Sequence, residues 1–246
     1  MTAELRELTV HIDTGRWSET VLEAVNLVVP AGRITALLGE SGCGKSMTAA
    51  ALTGNLPESA QASGHVLING THVQDRRHWK QLRGSTVGLV PQSGVTAFTA
   101  EATVGTQLRE LERRHRRCTI GRACASACYP IDALDLYPHQ HSGGQIQRAA
   151  LAAALLAAPE VLIADEPTAS LDAGTAYEVW TTLRRYADTG AAVLAITQEV
   201  PLLTATGAAD HMVFMRNGQI TASSPATEVH SLADSYVQGF FHEIGQ

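Results

Sequence analysis

The sequence predicts a layered α/β fold around a mostly parallel sheet with helices on both faces, and three observations carry that prediction. Residues 34–38 are a short run, apolar but for Thr35, the pattern of a strand buried on both sides, and they lead into a glycine-rich loop and an Ala-rich helical stretch at 45–52. Further apolar runs at 161–164, 192–196 and 212–215 alternate with helical segments, one of which, 173–187, stops just before Gly190. The 246-residue chain is 45% hydrophobic but only 5% aromatic, a balance suited to close helix–strand packing.

The first part of the chain reads differently. Residues 5–12 and 21–29 are β-branched apolar runs separated by Gly15 and polar residues, and 66–68 and 87–90 are further strands. From 103 to 117, Val104, Leu108 and Leu111 recur at helical spacing among charges. A small-residue stretch follows, then Pro130 and Pro138, then a helix over 142–158 stopped by Pro159. Residues 94–150 therefore read as a helical subdomain inserted into one domain whose α/β core, with its N-terminal β subdomain, is 1–93 and 151–246. Asn217-Gly218 makes a tight turn into 219–222, and 228–243 reads as one or two short helices.

A net charge of −6 argues against a nucleic-acid partner, because such affinity comes from phosphate neutralisation. The basic run 109–117 is a solvated helix face or a docking surface for a membrane partner. No segment has about 18 consecutive apolar residues, and 149–158 is too short to span a bilayer. The N-terminus has no signal-like apolar core, so a cytoplasmic setting is expected, with any membrane role coming through a partner. None of the four cysteines forms a Cys-x-x-Cys pair. Cys118, Cys124 and Cys128 lie near His115 but match no zinc spacing, and read as ordinary small residues.

Three motifs carry the chemistry. Gly39-Glu40-Ser41-Gly42-Cys43-Gly44-Lys45-Ser46 fits G-x-x-x-x-G-K-S in full. Its glycines let backbone N–H groups turn inward as an anion nest, and the following helix adds its positive end. Lys45 would reach the β/γ-phosphates of a nucleoside triphosphate, and the Ser46 hydroxyl would hold Mg²⁺. Second, the run 161–164 delivers Asp165 and Glu166 at a strand's C-terminal end, where parallel sheets bind ligands. Asp165 would bind Mg²⁺, and Glu166 would orient and activate the attacking water. Third, Tyr137-Pro138-His139-Gln140-His141 precedes Ser142-Gly143-Gly144-Gln145 and Gln147-Arg148, which places a hydroxyl residue and two glycines at a helix start, a second anion-binding surface.

The third motif resembles the signature of ABC-type ATPases, which usually begins with Leu where this chain has His141. The resemblance covers essentially the whole chain in the family's order, and implies ATP as the nucleotide and an ABC ATPase fold, with a P-loop core, an antiparallel β subdomain and an inserted helical one. Gln92 matches the Q-loop, which couples Mg²⁺ and water to the helical subdomain, and Ser170-Leu171-Asp172 matches the D-loop across a dimer. The signature would serve the γ-phosphate bound by a facing subunit, homologous or identical. Gly-Glu-Ser-Gly-x-Gly-Lys-Ser and Tyr-Pro-His-Gln look most like the oligopeptide, dipeptide and nickel importer ATPases. That implies transmembrane permease partners, indirectly a substrate-binding protein, and a place on the cytoplasmic face of the membrane.

Two departures stand out. Gln198-Glu199 occupies the place of the family's usual His-Asp, and Gln cannot carry the positive charge of a γ-phosphate-sensing histidine. Slow hydrolysis at this chain's own site is the expectation. Trp17 is the aromatic available in the first β segment to stack on adenine. The rival readings are a soluble, non-transport ABC ATPase of assembly or repair, and a regulatory nucleotide-binding subunit.

Overall fold

The computed structural model describes residues 2–242, so the predicted helix is followed to that point and Glu243 lies outside the described residues. Two sheets organise the chain. Strands β1 (Ala3–Asp13), β2 (Ser18–Val29), β4 (Ala60–Ile68) and β5 (Thr71–His72) form an antiparallel sheet in the order β2-β1-β4-β5. Strands β3 (Ile34–Gly39), β6 (Val87–Val90), β7 (Val161–Asp165), β8 (Ala192–Ile196), β9 (His211–Arg216) and β10 (Gln219–Pro225) form the second, in the order β10-β9-β3-β8-β7-β6. All its pairings are parallel except β9 with β10, which the Asn217-Gly218 turn joins as a hairpin.

The helices are α1 (Lys45–Thr53), α2 (Arg76–Leu82), α3 (Val104–His115), α4 (Ile120–Ser126), α5 (Gly143–Leu156), α6 (Ala173–Asp188), α7 (Val200–Thr206) and α8 (Ser235–His242). Helices α3, α4 and α5, with short 3₁₀ turns, occupy the interval between β6 and β7. Alternation along β3, β7 and β8 sends side chains to two separate cores. Ile34, Ala36, Leu162, Ala164, Val193 and Ala195 meet apolar residues of α3 to α8. Leu37, Val161, Ile163, Leu194 and Ile196 meet α1 and the antiparallel sheet. The result is three layers, and it sharpens the expectation of helices on both faces: one face carries helices, the other α1 together with a second sheet.

The parallel strands were plain in the sequence because every residue of β3, β7 and β8 is buried, and each Leu or Ile so buried contributes about 1.5–3 kcal/mol. The start of β3 is fixed electrostatically. Asp210 accepts from the Ile34 N–H at 2.8 Å, from Arg33 at 2.6 Å and from Arg184 at 2.5 Å. Burial pushes that carboxyl up, but those hydrogen bonds outweigh it and hold it below its ordinary value. No helix of the described residues is long and apolar enough to cross a membrane.

Candidate functional site

The loop 39–46 joins the C-terminal edge of β3 to α1, in the strand–loop–helix order its pattern requires. Two glycines are sterically obligatory. A Cβ at Gly39 would lie 2.4 Å from the Met215 carbonyl, and one at Gly44, where φ is 110°, would lie 2.8 Å from Leu22. Gly44 caps α1 without any side-chain hydrogen bond, and the first turn holds no acidic residue, so the helix start offers free amides and its positive end to an anion. Lys45 is 6% exposed and folds back over the loop, its Nζ donating to Gly39 O at 2.7 Å and Glu40 O at 2.8 Å. Cys43 is buried beneath it, while Glu40, Ser41, Gly42 and Ser46 face outward. The β9–β10 turn braces the loop from behind, Gly218 N–H donating to Cys43 O at 2.9 Å.

Asp165 closes β7 and is 7% exposed. Burial pushes its carboxyl above the ordinary range, opposed by a hydrogen bond from the Ser46 side chain, reinforced by Glu166 and opposed again by Lys45. Its Oδ1 is buried with no hydrogen-bond partner, an orphaned anionic oxygen beside a hydroxyl. An all-oxygen set of that kind fits a hard divalent cation such as Mg²⁺. Gln92 lies two residues beyond β6, whose partner strand is β7, so it stands at the same edge of the sheet, exposed.

Glu166 has φ 47°, and its N–H donates to Ile196 O at 2.9 Å, which turns its side chain across the end of β8. There Gln198 Nε2 donates to Glu166 Oε1 at 2.9 Å. Gln198, read from the sequence as standing in the place of a γ-phosphate sensor, thus meets the Glu166 carboxylate. The Thr168 hydroxyl makes a short hydrogen bond to the neighbouring Glu199, tying the loop after β7 to the loop after β8.

Residues 142–145 open α5. Ser142 Oγ accepts from the Gln145 N–H at 3.2 Å and Gln145 Oε1 accepts from the Ser142 N–H at 3.0 Å, a reciprocal capping box. His141 anchors the approach, with Nε2 2.8 Å from the Tyr129 hydroxyl and Nδ1 2.9 Å from Tyr137 O. Gly143 and Gly144 pack on the loop before α6, where a Cβ would meet Ser170 at 3.6 Å and Leu171 at 2.9 Å. Asp172 caps α6, accepting from the Thr175 hydroxyl at 2.7 Å and its N–H at 3.0 Å, which hold its carboxyl below its ordinary value. The structure therefore links 39–46, Asp165, Glu166 and Gln198 by direct contacts, and packs 143–144 on the loop that carries Ser170 and leads to Asp172. No hydrogen bond joins the two groups among the described residues.

Gln147 makes a long-range contact that its place in the motif does not predict. Its Nε2 donates to Pro91 O at 3.0 Å, and a Cβ on Gly94 would lie 2.5 Å from Ile146 O, so α5 is locked to the segment that carries Gln92. Trp17, 47% exposed, ends the β1–β2 turn, its N–H donating to the Thr14 hydroxyl at 3.1 Å. It lies four residues before Val21, whose carbonyl borders Gly44, or about 13 Å along an extended strand. Cys124 is buried and its thiol is pushed up to about 11 by that burial, and burial also raises Cys118 and Cys128.

A strand, a glycine loop and a helix with a lysine turned into the loop, flanked by paired carboxylates on a nearby strand, define a P-loop nucleotide-binding α/β protein. Family comparison gives the particular kind: the ABC transporter model matches residues 22–169, more than half of the chain, and the chain belongs to the ABC transporter family. It is 30% identical over 240 residues to a probable peptide ABC transporter ATP-binding protein of Sinorhizobium fredii, covering 92% of this chain and 71% of that one. It is 32% identical to the oligopeptide transport ATP-binding protein OppD of Mycobacterium tuberculosis, covering 92% of this chain but 39% of that longer one. It is 31% identical to the metal-staphylopine import system ATP-binding protein CntD of Staphylococcus aureus, covering 88% and 83%. Among solved structures, a dimeric ATP-binding cassette in a post-hydrolysis state with ADP and Pi superposes with a TM-score of 0.80 over 91% of this chain and 98% of that one, at 22% identity. A bacterial Atm1-family exporter with ATP bound gives 0.82 over 100% of this chain and 42% of that one, at 20% identity. These two likenesses establish the fold.

Proposed function

We propose that this chain is the ATP-binding, ATP-hydrolysing subunit of an importer that takes up peptides, nickel or a metal chelate through partner membrane subunits. The observation that carries this reading is the contrast between two helix starts, α1 open at its amides and α5 closed by a capping box: the loop 39–46 with Asp165 and Glu166 is one half of a site, and 142–145 is the other half, offered to a facing subunit. The names of the relatives support the cargo classes, peptides directly and a metal chelate through the staphylopine system.

In this site, residues 39–46 hold the phosphates, with Lys45 leaving the loop carbonyls for the β/γ oxygens. Ser46, Asp165 and Gln92 would hold Mg²⁺, which supplies charge neutralisation of the phosphate oxygens. Glu166 orients a water molecule and accepts its proton, and Trp17 stacks on adenine. Residues 142–145 and Asp172 act across the dimer. Residues 94–150 move as a helical subdomain, with Gln147 and Gly94 linking the Gln92 segment to α5, so nucleotide binding and subdomain position are mechanically one event.

A cleft of about 720 Å³ lined by Arg76, Lys80, Arg83, Leu111, Arg114 and His115 supports docking to the membrane subunits. Its lining includes no acidic residue, so the complementary segment carries carboxylates. Such docking places the chain on the cytoplasmic face of the membrane.

Gln198 favours a second reading, a subunit whose own site turns over slowly while its signature serves the partner's. Its neutral amide occupies one Glu166 oxygen and brings no positive charge to the γ-phosphate. Two experiments test these readings. Purification from membranes should bring down integral subunits and a second cassette, and recovery of the chain without any membrane protein overturns the importer reading. In that complex, Gln198→His should raise steady-state hydrolysis, by up to about 100-fold at this site, and an unchanged rate removes the slow-site reading.

A further inference from the structure

The C-terminal helix reaches the phosphate loop through one side chain. Asp234 caps α8, its Oδ1 accepting from the N–H groups of Tyr236 at 2.8 Å and Val237 at 3.3 Å. The Arg216 guanidinium lies over the Tyr236 ring, 5.0 Å from its centroid, and the Phe240 ring stands at 87° to it with centroids 5.2 Å apart. Phe240 in turn packs on the buried Phe214 of β9, with centroids 5.6 Å apart. The ring therefore has two packing partners besides the bonds of its hydroxyl.

That hydroxyl sits where the β3–β9 ladder runs out. The last paired residues are Gly39 and Met215. Beyond them the chain turns away at Glu40, and the Tyr236 hydroxyl fills the gap: it accepts from the Glu40 N–H at 3.2 Å and donates to Met215 O at 2.9 Å. Burial pushes the phenol above its ordinary pKa, so it keeps the proton it donates. On the other side, Glu40 O accepts from Lys45 Nζ at 2.8 Å and from the Cys43 N–H at 3.3 Å. When Lys45 turns to the phosphates it gives up that bond, and the Tyr236 rung becomes the main tie between the start of the loop and the sheet.

We propose that Tyr236 is a positioning residue for nucleotide binding: its hydroxyl acts as a side-chain rung that holds the Glu40 peptide to β9 and so pre-shapes the anion nest. This rests on the reading of 39–46 as the phosphate site. The rung makes α8 part of the nucleotide site without contact to the nucleotide, and its loss is felt in affinity rather than in turnover.

The test compares Tyr236→Phe with Phe241→Leu, which loosens the same helix at its contact with His230 but keeps the hydroxyl. Titration with fluorescent mant-ATP and Mg²⁺ should show Tyr236→Phe weakening Kd roughly three- to ten-fold, the range one lost hydrogen bond gives. The kcat of the membrane-derived complex at saturating ATP should stay within about two-fold, and the Glu40 amide should exchange with deuterium faster. Phe241→Leu should lower Tm at least as much while leaving Kd and Glu40 exchange near wild type. An unchanged Kd in Tyr236→Phe, or an equal Kd shift in Phe241→Leu, overturns the proposal. If the wild-type chain takes up no MgATP, the phosphate-site reading fails instead, and Glu40 exchange still reports whether the rung exists.

Discussion

The two glycine-bearing helix starts, α1 and α5, differ in how their amides are satisfied. At α1 the cap is Gly44, no side chain bonds the first-turn N–H groups, and a buried lysine lies across the loop. At α5, Ser142 and Gln145 satisfy each other's amides in a closed box, and Ser142 and Gly143 are exposed while Gly144 is buried. A helix start without partners calls for an anion, whereas a capped one is stable alone and has only its remaining amides and hydroxyl to offer a neighbour. On the proposed reading, the first loop is a receptor in its own subunit, and the second is a surface whose ligand arrives on another molecule.

Three substitutions sharpen that contrast. The largest effect is expected from Lys45→Ala, which removes the charged donor of the receptor loop: MgATP affinity of the isolated chain, read by equilibrium dialysis, should fall about 100-fold. Asp165→Asn comes next and should act in opposite directions on stability and activity. Because the folded-state pKa of Asp165 is raised, its buried charge costs stability above that pKa, and the cost disappears as pH falls through it. Asparagine removes the cost, so the nucleotide-free protein should melt about 2–4 °C higher at neutral pH. The gain should vanish in acid, and Mg²⁺-dependent hydrolysis should be lost, with calorimetry and a phosphate-release assay as the two readouts. The smallest effect is Trp17→Ala, worth about 1 kcal/mol of base stacking. It should weaken ATP about five-fold and leave inorganic triphosphate binding unchanged, since that ligand has no base.

What the sequence disclosed follows from how local each signal is. β3, β7 and β8 were legible because burial on both faces makes them almost entirely apolar, with Thr35 and the functional Asp165 as the polar exceptions, and the loop 39–46 because steric demand and chemistry act on consecutive positions. The first half of β4 was not, since its residues are exposed and show no alternation. Helix α2 buries only Trp79, and α7 carries Pro201 in its first turn, so neither shows a clear apolar stripe. The site divides in the same way. Asp165, Glu166, Gln198 and the box of Ser142 with Gln145 could be read from short strings. The contacts that tie those strings together join residues far apart in the chain: Gln147 to Pro91 across 56 positions and Tyr236 to Glu40 across 196. Nothing in local composition records such pairs.

On the proposed reading the phosphate loop is half a site, and Ser142 belongs to the other half, in a facing subunit. Ser142→Asp places a negative charge at the exposed α5 start, where it can still cap the helix but repels a γ-phosphate. The deciding measurement is ATP hydrolysis by the membrane-derived complex, set beside MgATP affinity of the isolated chain. The account predicts a fall in hydrolysis of about 100-fold, with the isolated chain's Kd unchanged. Full hydrolysis, or an equal loss of ATP binding by the isolated chain, would contradict it.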